Sequence, residues 1–176
     1  MLVQAVGFFW RENHIFWGKG NKAGRLLGVP SNGKTTVPVD FRKQIGIYVL
    51  YSGYQVVYVG QAGVGNQTLF SRLKQHRKDD LAGRWDRFSW FGVLKVVGKG
   101  PKQKLASRKA SFHPTLPVVL NHIEGILIHA VEPNMNSQGG RFGDDVIRYH
   151  QIRDPHLGLT EEEMLRALCK SQGIHT

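Results

Sequence analysis

The stretch IGIYVLYSGYQVVYVGQAGVGNQTLFSRLKQH (residues 45–76) decides how the chain folds. It opens with two β-branched and aromatic runs, IGIYVLY and QVVYVG, separated by the turn-forming SGY, which predicts an antiparallel hairpin. A helix is expected from about Thr68, whose hydroxyl can cap the free amides, with Leu69, Leu73 and Phe70 turned inward. Arg72 and His76 are four residues apart and so share one face of that helix.

Between hairpin and helix, GQAGVGNQT has almost the spacing of a nucleotide-binding loop. Gly60 and Gly65 match it, but Asn66 and Gln67 stand where a lysine must reach the terminal phosphates and a hydroxyl must hold magnesium. A nucleotide pocket is therefore not expected. Gly63 and Gly65 are read instead as positions that permit unusual backbone angles.

Downstream, RFSWFGVLKVV (residues 87–97) reads as a third strand, and VGKGPKQKLASRKASFHP as a basic surface loop. A helix over 117–131 places Leu120, Ile123, Leu127 and Val131 on one stripe, with Glu124 outside it. EPNMNSQGGRFGDD then breaks the helix at Pro133 and runs into loop. In TEEEMLRALCK, Thr160 and Glu163 have capping-box spacing, which predicts a last, structural helix. Upstream, the aromatic runs AVGFFW and HIFWG flank the polar RENH and read as a hairpin, followed by a segment rich in Gly, Pro and Lys. This part is either an edge-strand decoration or a basic aromatic arm that grips nucleic acid or a partner subunit.

Charge narrows the class of partner. The 24 Lys and Arg against 13 Asp and Glu give 24 − 13 = +11 over 176 residues, and the pI is about 10.0. A polyanion is the expected partner, and without a long basic amphipathic helix nucleic acid is favoured over lipid. Cys169 is the single cysteine, which excludes an internal disulfide and a Cys-based zinc site. MLVQAVGFFWRENH lacks a basic segment ahead of an apolar run, and no run approaches the ~18 residues that span a bilayer. A cytoplasmic protein with no membrane partner is expected.

Gly46, Ile47 and Tyr48 lie on the first strand of the hairpin, and Tyr58, Val59 and Gly60 end the second. Arg72 follows on a helix and Glu124 on a later one. Together these residues resemble the GIY-YIG nuclease family, with Val59 where the signature has Ile. His76, four after Arg72, and Asn136, twelve after Glu124, fit the same pattern. The resemblance covers residues 44–138 and implies an α/β (α+β) fold: a small central antiparallel sheet of about three strands flanked by helices, with an N-terminal β-hairpin extension. The domains would be an extension (1–43), a nuclease core (44–138) and a C-terminal loop and helix packing on the core (139–176).

The resemblance also implies an activity: Mg2+-dependent hydrolysis of DNA phosphodiester bonds, leaving 5′-phosphate and 3′-hydroxyl ends, with Mn2+ able to substitute. Tyr48 would activate the attacking water, Tyr58 and His76 would support that proton transfer, and Arg72 would clamp the phosphate. Glu124 would hold the metal, which prefers oxygen ligands, and Asn136 would position Glu124 or the leaving group. A phenol titrating near ~10 is a poor base at neutral pH, so Tyr48 requires neighbours that favour phenolate. Affinity for DNA, double- or single-stranded, would come from the N-terminal arm and from Lys74, Arg84, Arg87, Lys102, Lys104, Arg108 and Lys109.

Taken singly, each residue has an ordinary structural role: Tyr48 and Tyr58 as strand aromatics, Arg72 paired with a surface acid such as Asp79, His76 and Glu124 as solvated helix residues. It is their joint spacing in a basic chain that favours the nuclease. Trp85 and Trp90 are expected in the core, and the remaining histidines show no metal-ligand spacing. Compact, free-standing members with an extension of their own point to restriction or phage defence, working as a homodimer or with a partner defence protein. The rivals are a mobile-element or repair nuclease, a noncatalytic nucleic-acid-binding module and, least in keeping with the missing lysine, a nucleotide-binding protein.

Overall fold

The computed structural model describes residues 2–33, 35–106, 115–132, 142–143 and 145–171. Its first half contains strands β1 (Ala5–Arg11), β2 (Phe16–Lys19), β3 (Lys22–Arg25), β4 (Leu27–Pro30), β5 (Val39–Asp40), β6 (Gly46–Ser52) and β7 (Gln55–Ala62). Helix α1 (Leu69–His76), strands β8 (Arg87–Gly92), β9 (Lys95–Val97) and β10 (Lys104–Ala106), helix α2 (Leu116–Val131), strand β11 (Ile147–Gln151) and helix α3 (Glu161–Ser171) follow.

The hairpin over residues 45–62 forms as expected: β6 and β7 pair antiparallel, with Tyr48 opposite Gly60. The sheet it belongs to is another matter. Seven strands form one mixed sheet in the order β5-β4-β11-β1-β8-β6-β7, which corrects the expected small antiparallel sheet of about three strands flanked by helices. The N-terminal β-hairpin extension is corrected with it. AVGFFW pairs antiparallel with β8 and parallel with β11, and it lies inside the sheet. Burial of Ala5, Val6 and Gly7 in succession is the pattern of a strand covered on both faces. HIFWG pairs instead with Lys22–Arg25, giving the separate two-stranded hairpin β2–β3.

RFSWFGVLKVV is two strands, because Gln44 clamps the backbone between them: its Nε2 donates to Leu94 O (3.1 Å) and its Oε1 accepts from Leu94 N (3.0 Å). The second part, β9, pairs with β10 inside the segment read as loop.

Side chains alternate between the two faces of a strand, and here each face has its own core. One gathers Trp10, Leu26, Phe41, Tyr48, Leu50, Leu73, Phe88, Trp90 and Tyr149. The other gathers Val3, Val6, Val49, Tyr51, Phe91, Ala130 and Phe142. A register shift between Gly7 and Trp10, with Phe9 at φ 50°, leaves Phe8 and Phe9 both against the second core and returns Trp10 to the first. Trp85 and Trp90 are buried, as expected.

α1 covers the first face. Thr68 caps it: its Oγ1 accepts from Ser71 N (3.3 Å) and Ser71 Oγ accepts from Thr68 N (2.8 Å). Leu69 and Leu73 are buried, while Phe70 turns toward the β2–β3 hairpin, where a Cβ on Gly24 would overlap its ring.

α2 covers the second face, and Tyr51 donates its hydroxyl to Ala130 O (3.2 Å). The apolar stripe of Leu120, Ile123, Leu127 and Val131 is exposed. The helix buries His122, Gly125 and Ala130 instead, because Phe142 lies so close over Gly125 that a Cβ there would approach it to 2.9 Å. At α3 the capping box forms as expected, with Glu163 N donating to Thr160 Oγ1 (3.1 Å) and Thr160 N to Glu163 Oε2 (2.6 Å). Among the described residues no helix is long and apolar enough to cross a membrane.

Trp10 ties the centre together. Its ring meets Trp90 edge-on at 5.3 Å and its Nε1 donates to Tyr149 O at 3.1 Å, so one side chain links β1, β8 and β11. In urea unfolding, Trp10→Ala is expected to cost ~3–5 kcal/mol, whereas Leu120→Ser on the exposed stripe stays within ~0.5 kcal/mol. A loss below ~1 kcal/mol for Trp10→Ala would place β1 outside the core.

Candidate active site

Position 48 of β6 points toward α1, and the Tyr48 ring is fully buried there. Room for it comes from Gly60 directly opposite, where any Cβ would overlap the phenol carbon and oxygen. This is the physical reason for glycine at the end of QVVYVG. Gly63 (φ 121°), Gly65 (φ 59°) and Asn66 (φ 62°) then turn the chain from β7 to the Thr68 cap, in keeping with the reading of GQAGVGNQT as a turn.

α1 delivers Arg72 and His76 to the same phenol. Tyr48 OH lies 2.7 Å from His76 Nε2, and Arg72 Nε donates to the Tyr48 oxygen at 3.3 Å. On its far side His76 Nδ1 lies 2.8 Å from Asp79 Oδ2. Tyr58 on β7 sets its ring edge-on to His76, with centroids 4.9 Å apart. Arg72 Nη1 donates to Gln75 Oε1 at 3.0 Å, which aims the guanidinium along the helix.

Burial raises the Tyr48 phenol above its ordinary pKa; the hydrogen bond and charge of Arg72 pull it down, and Tyr58 pushes it further up. Burial prevails, so Tyr48 is a neutral phenol at pH 7 and not the phenolate that a lone base would require. Asp79 is held below the usual carboxylate range: burial opposes its ionisation, but the Leu81 amide and His76 outweigh it. The cluster is therefore a chain of hydrogen bonds with a cation beside its oxygen end. Such an arrangement can move a proton off the phenol and bind an anion next to it.

Four of the expected residues, Tyr48, Tyr58, Arg72 and His76, are thus brought together. Glu124 is not. It lies on the exposed side of α2, and α2 packs on the face of the sheet opposite Tyr48. Asn136, Arg108 and Lys109 lie outside the described residues.

Of the expected DNA contacts, Lys74 is exposed on α1 and donates to Trp17 O (2.9 Å), and Arg84, Lys102 and Lys104 are exposed. Arg87 is half-buried, paired with Asp86 at 3.3 Å and stacked over Tyr54 at 4.6 Å.

The magnesium ion implied by the resemblance needs several oxygen ligands. Among the described residues no three His, Cys, Asp or Glu side chains come together. The carboxylate beside His76, Asp79, has both oxygens engaged, one by His76 and one by Leu81 N at 3.0 Å. The described residues around Tyr48 therefore offer no free carboxylate to hold the ion.

The chain matches no protein-family profile, no curated protein and no solved structure.

In the sequence alone, Asp79 reads only as a surface partner for Arg72. The available signal was its spacing, three residues after His76 just past the helix end. Gly60→Ala is expected to cost ~1–3 kcal/mol in chemical denaturation, because the new methyl must displace a fully buried ring. Stability equal to wild type would mean that Tyr48 is not packed against Gly60.

Proposed function

We propose that this protein is an endonuclease that hydrolyses phosphodiester bonds in DNA, with Tyr48, Arg72 and His76 at the reacting centre. The observation that carries the reading is the Tyr48 hydroxyl held between a histidine nitrogen and an arginine. In the reaction, a water attacks phosphorus and gives a proton to the Tyr48 oxygen, while the proton of Tyr48 passes to His76 Nε2. The bond to the 3′ oxygen breaks, that oxygen takes a proton from solvent water, His76 returns its extra proton to solvent, and a 5′-phosphate and a 3′-hydroxyl result. Arg72 balances charge on the nonbridging oxygens. Tyr48 is fully buried, so the reaction requires the half-exposed Arg72, which donates to the Tyr48 oxygen, to move outward with the phosphate.

Magnesium, or manganese in its place, is proposed from the resemblance alone, since the described residues around Tyr48 offer it no free carboxylate. A cytoplasmic role in phage defence is proposed on the same basis, with a second copy of the chain or a partner defence protein where both strands are cut. The noncatalytic binding module stays as the second reading, favoured by the complete burial of Tyr48 and by the position of Glu124 across the sheet.

Plasmid and single-stranded DNA incubated with Mg2+, with Mn2+ and with EDTA separate the readings. Tyr48→Phe and Arg72→Ala are expected to slow nicking by ~10²–10³-fold, with 5′-phosphate ends on the residual product. Glu124→Ala is expected to cleave like wild type; a loss as large as that of Tyr48→Phe would contradict the placement of α2. Absence of wild-type cleavage under every condition would favour the binding module.

Binding is expected to follow the charge of the chain. For Tyr48→Phe, a plot of log K against log salt should fall with a slope of ~−0.9 per phosphate contacted. A flat plot would remove DNA as the partner.

A further inference from the structure

We infer that Asp79 is a positioning residue that decides which nitrogen of His76 carries the proton, and thereby sets the direction in which Tyr48 gives up its own. The inference deepens the proposed nuclease reading and rests on it for its catalytic meaning, but its structural content stands without substrate.

His76 is buried, and its two ring nitrogens have different partners: Tyr48 OH at Nε2 (2.7 Å) and Asp79 Oδ2 at Nδ1 (2.8 Å). An ionised carboxylate only accepts, so the nitrogen facing Asp79 must carry a hydrogen. In a neutral ring that leaves Nε2 as an acceptor, and the hydroxyl of Tyr48 must donate to it. The other contact of the phenol agrees. Arg72 only donates, through Nε at 3.3 Å, so the Tyr48 proton is directed to His76. The opposite tautomer would set Nε2–H and Nε–H both against the Tyr48 oxygen and leave a bare nitrogen facing a carboxylate.

Asp79 is itself held. Its amide donates to Gln75 O (3.2 Å), its carbonyl accepts from Ala82 N (2.9 Å), and its Oδ1 accepts from Leu81 N (3.0 Å). The backbone of His76 is fixed from the other side by Trp85 Nε1, which donates to His76 O (3.3 Å). The turn that ends α1 therefore builds an acceptor behind the imidazole. Both carboxylate oxygens are needed as acceptors, one for Leu81 N and one for His76 Nδ1, and this makes the isosteric amide informative. Asparagine has a single side-chain oxygen. If that oxygen serves Leu81 N, the NH2 faces Nδ1 and drives His76 to the Nε2–H tautomer, in which Tyr48 can no longer donate to it.

The test uses the full chain with 15N-labelled histidine, read at neutral pH without substrate. Long-range proton–nitrogen correlations distinguish the two tautomers, and His76→Gln identifies which signals belong to His76. Wild type is expected to show the Nδ1–H form. Asp79→Asn is expected to move His76 toward Nε2–H, with unchanged circular dichroism, and to slow nicking by at least ~100-fold. Asp79→Glu, which keeps two acceptor oxygens, is expected to restore part of the Nδ1–H signal. Should Asp79→Asn fail to fold, the wild-type spectrum decides alone, because Nε2–H in wild type overturns the inference.

An Asp79→Asn protein that folds, keeps Nδ1–H and cleaves at the wild-type rate also overturns it. If wild type shows Nδ1–H yet cleaves no nucleic acid, the nuclease reading fails while the role of Asp79 toward His76 stands.

Discussion

Alternation along β6 is the constraint on which the rest of the molecule turns. Tyr48 and Leu50 face one way, Val49 and Tyr51 the other, and pairing of β6 with β8 from Gly46 to Tyr51 keeps that order without a shift. Each face then recruits its own cover. The first takes α1 and the second takes α2, so the strand that carries the phenol also decides which helix can reach it. A slip of one residue would exchange the cores and carry Tyr48 to the face of α2. Pairing on both sides of β6 and the large rings of Trp10, Trp90 and Phe88 resist that slip.

The cluster of Tyr48, Arg72 and His76 is held in place by this arrangement. α1 has only eight residues and could not hold its shape by propensity alone. It is pinned beneath by Leu69 and Leu73, and on one flank by the β2–β3 hairpin, where Trp17 meets Phe70 at 5.3 Å and Arg77 covers Trp17 at 4.7 Å. Lys74, an expected DNA contact, reaches into the same junction through Trp17 O. Arg72 lies on the other flank, so the helix stands between a basic hairpin with exposed Lys19 and Lys22 at its tip and the guanidinium above Tyr48. A polyanion lying across α1 would meet both.

What could be read from the sequence was local. The β6–β7 hairpin, the Thr68 cap, the Thr160–Glu163 box and the shared face of Arg72 and His76 each depend on residues within a few positions of one another. β1 eluded the reading because its partners lie some eighty and one hundred and forty positions away, as the bonds Phe9 N to Ser89 Oγ and Trp10 Nε1 to Tyr149 O show. An aromatic run next to a polar turn looks the same whether it closes a hairpin or enters a sheet.

The α2 stripe shows a second limit. Periodicity reports which side of a helix is apolar, but burial went to the side bearing Gly125, where Phe142 could approach. Glu124, on the exposed side of α2, lies across the sheet from Tyr48. Asp79 was hidden by its exposure-prone type, and its role emerges only from the distance to His76.

Whether Tyr48 and His76 work as one hydrogen-bonded unit is decided by a double-mutant cycle on single-turnover DNA cleavage. If they do, Tyr48→Phe combined with His76→Gln is expected to be no slower than the slower of the two single variants, since either change removes the same proton path. Losses that multiply would show that the two side chains act independently, and would contradict a single unit.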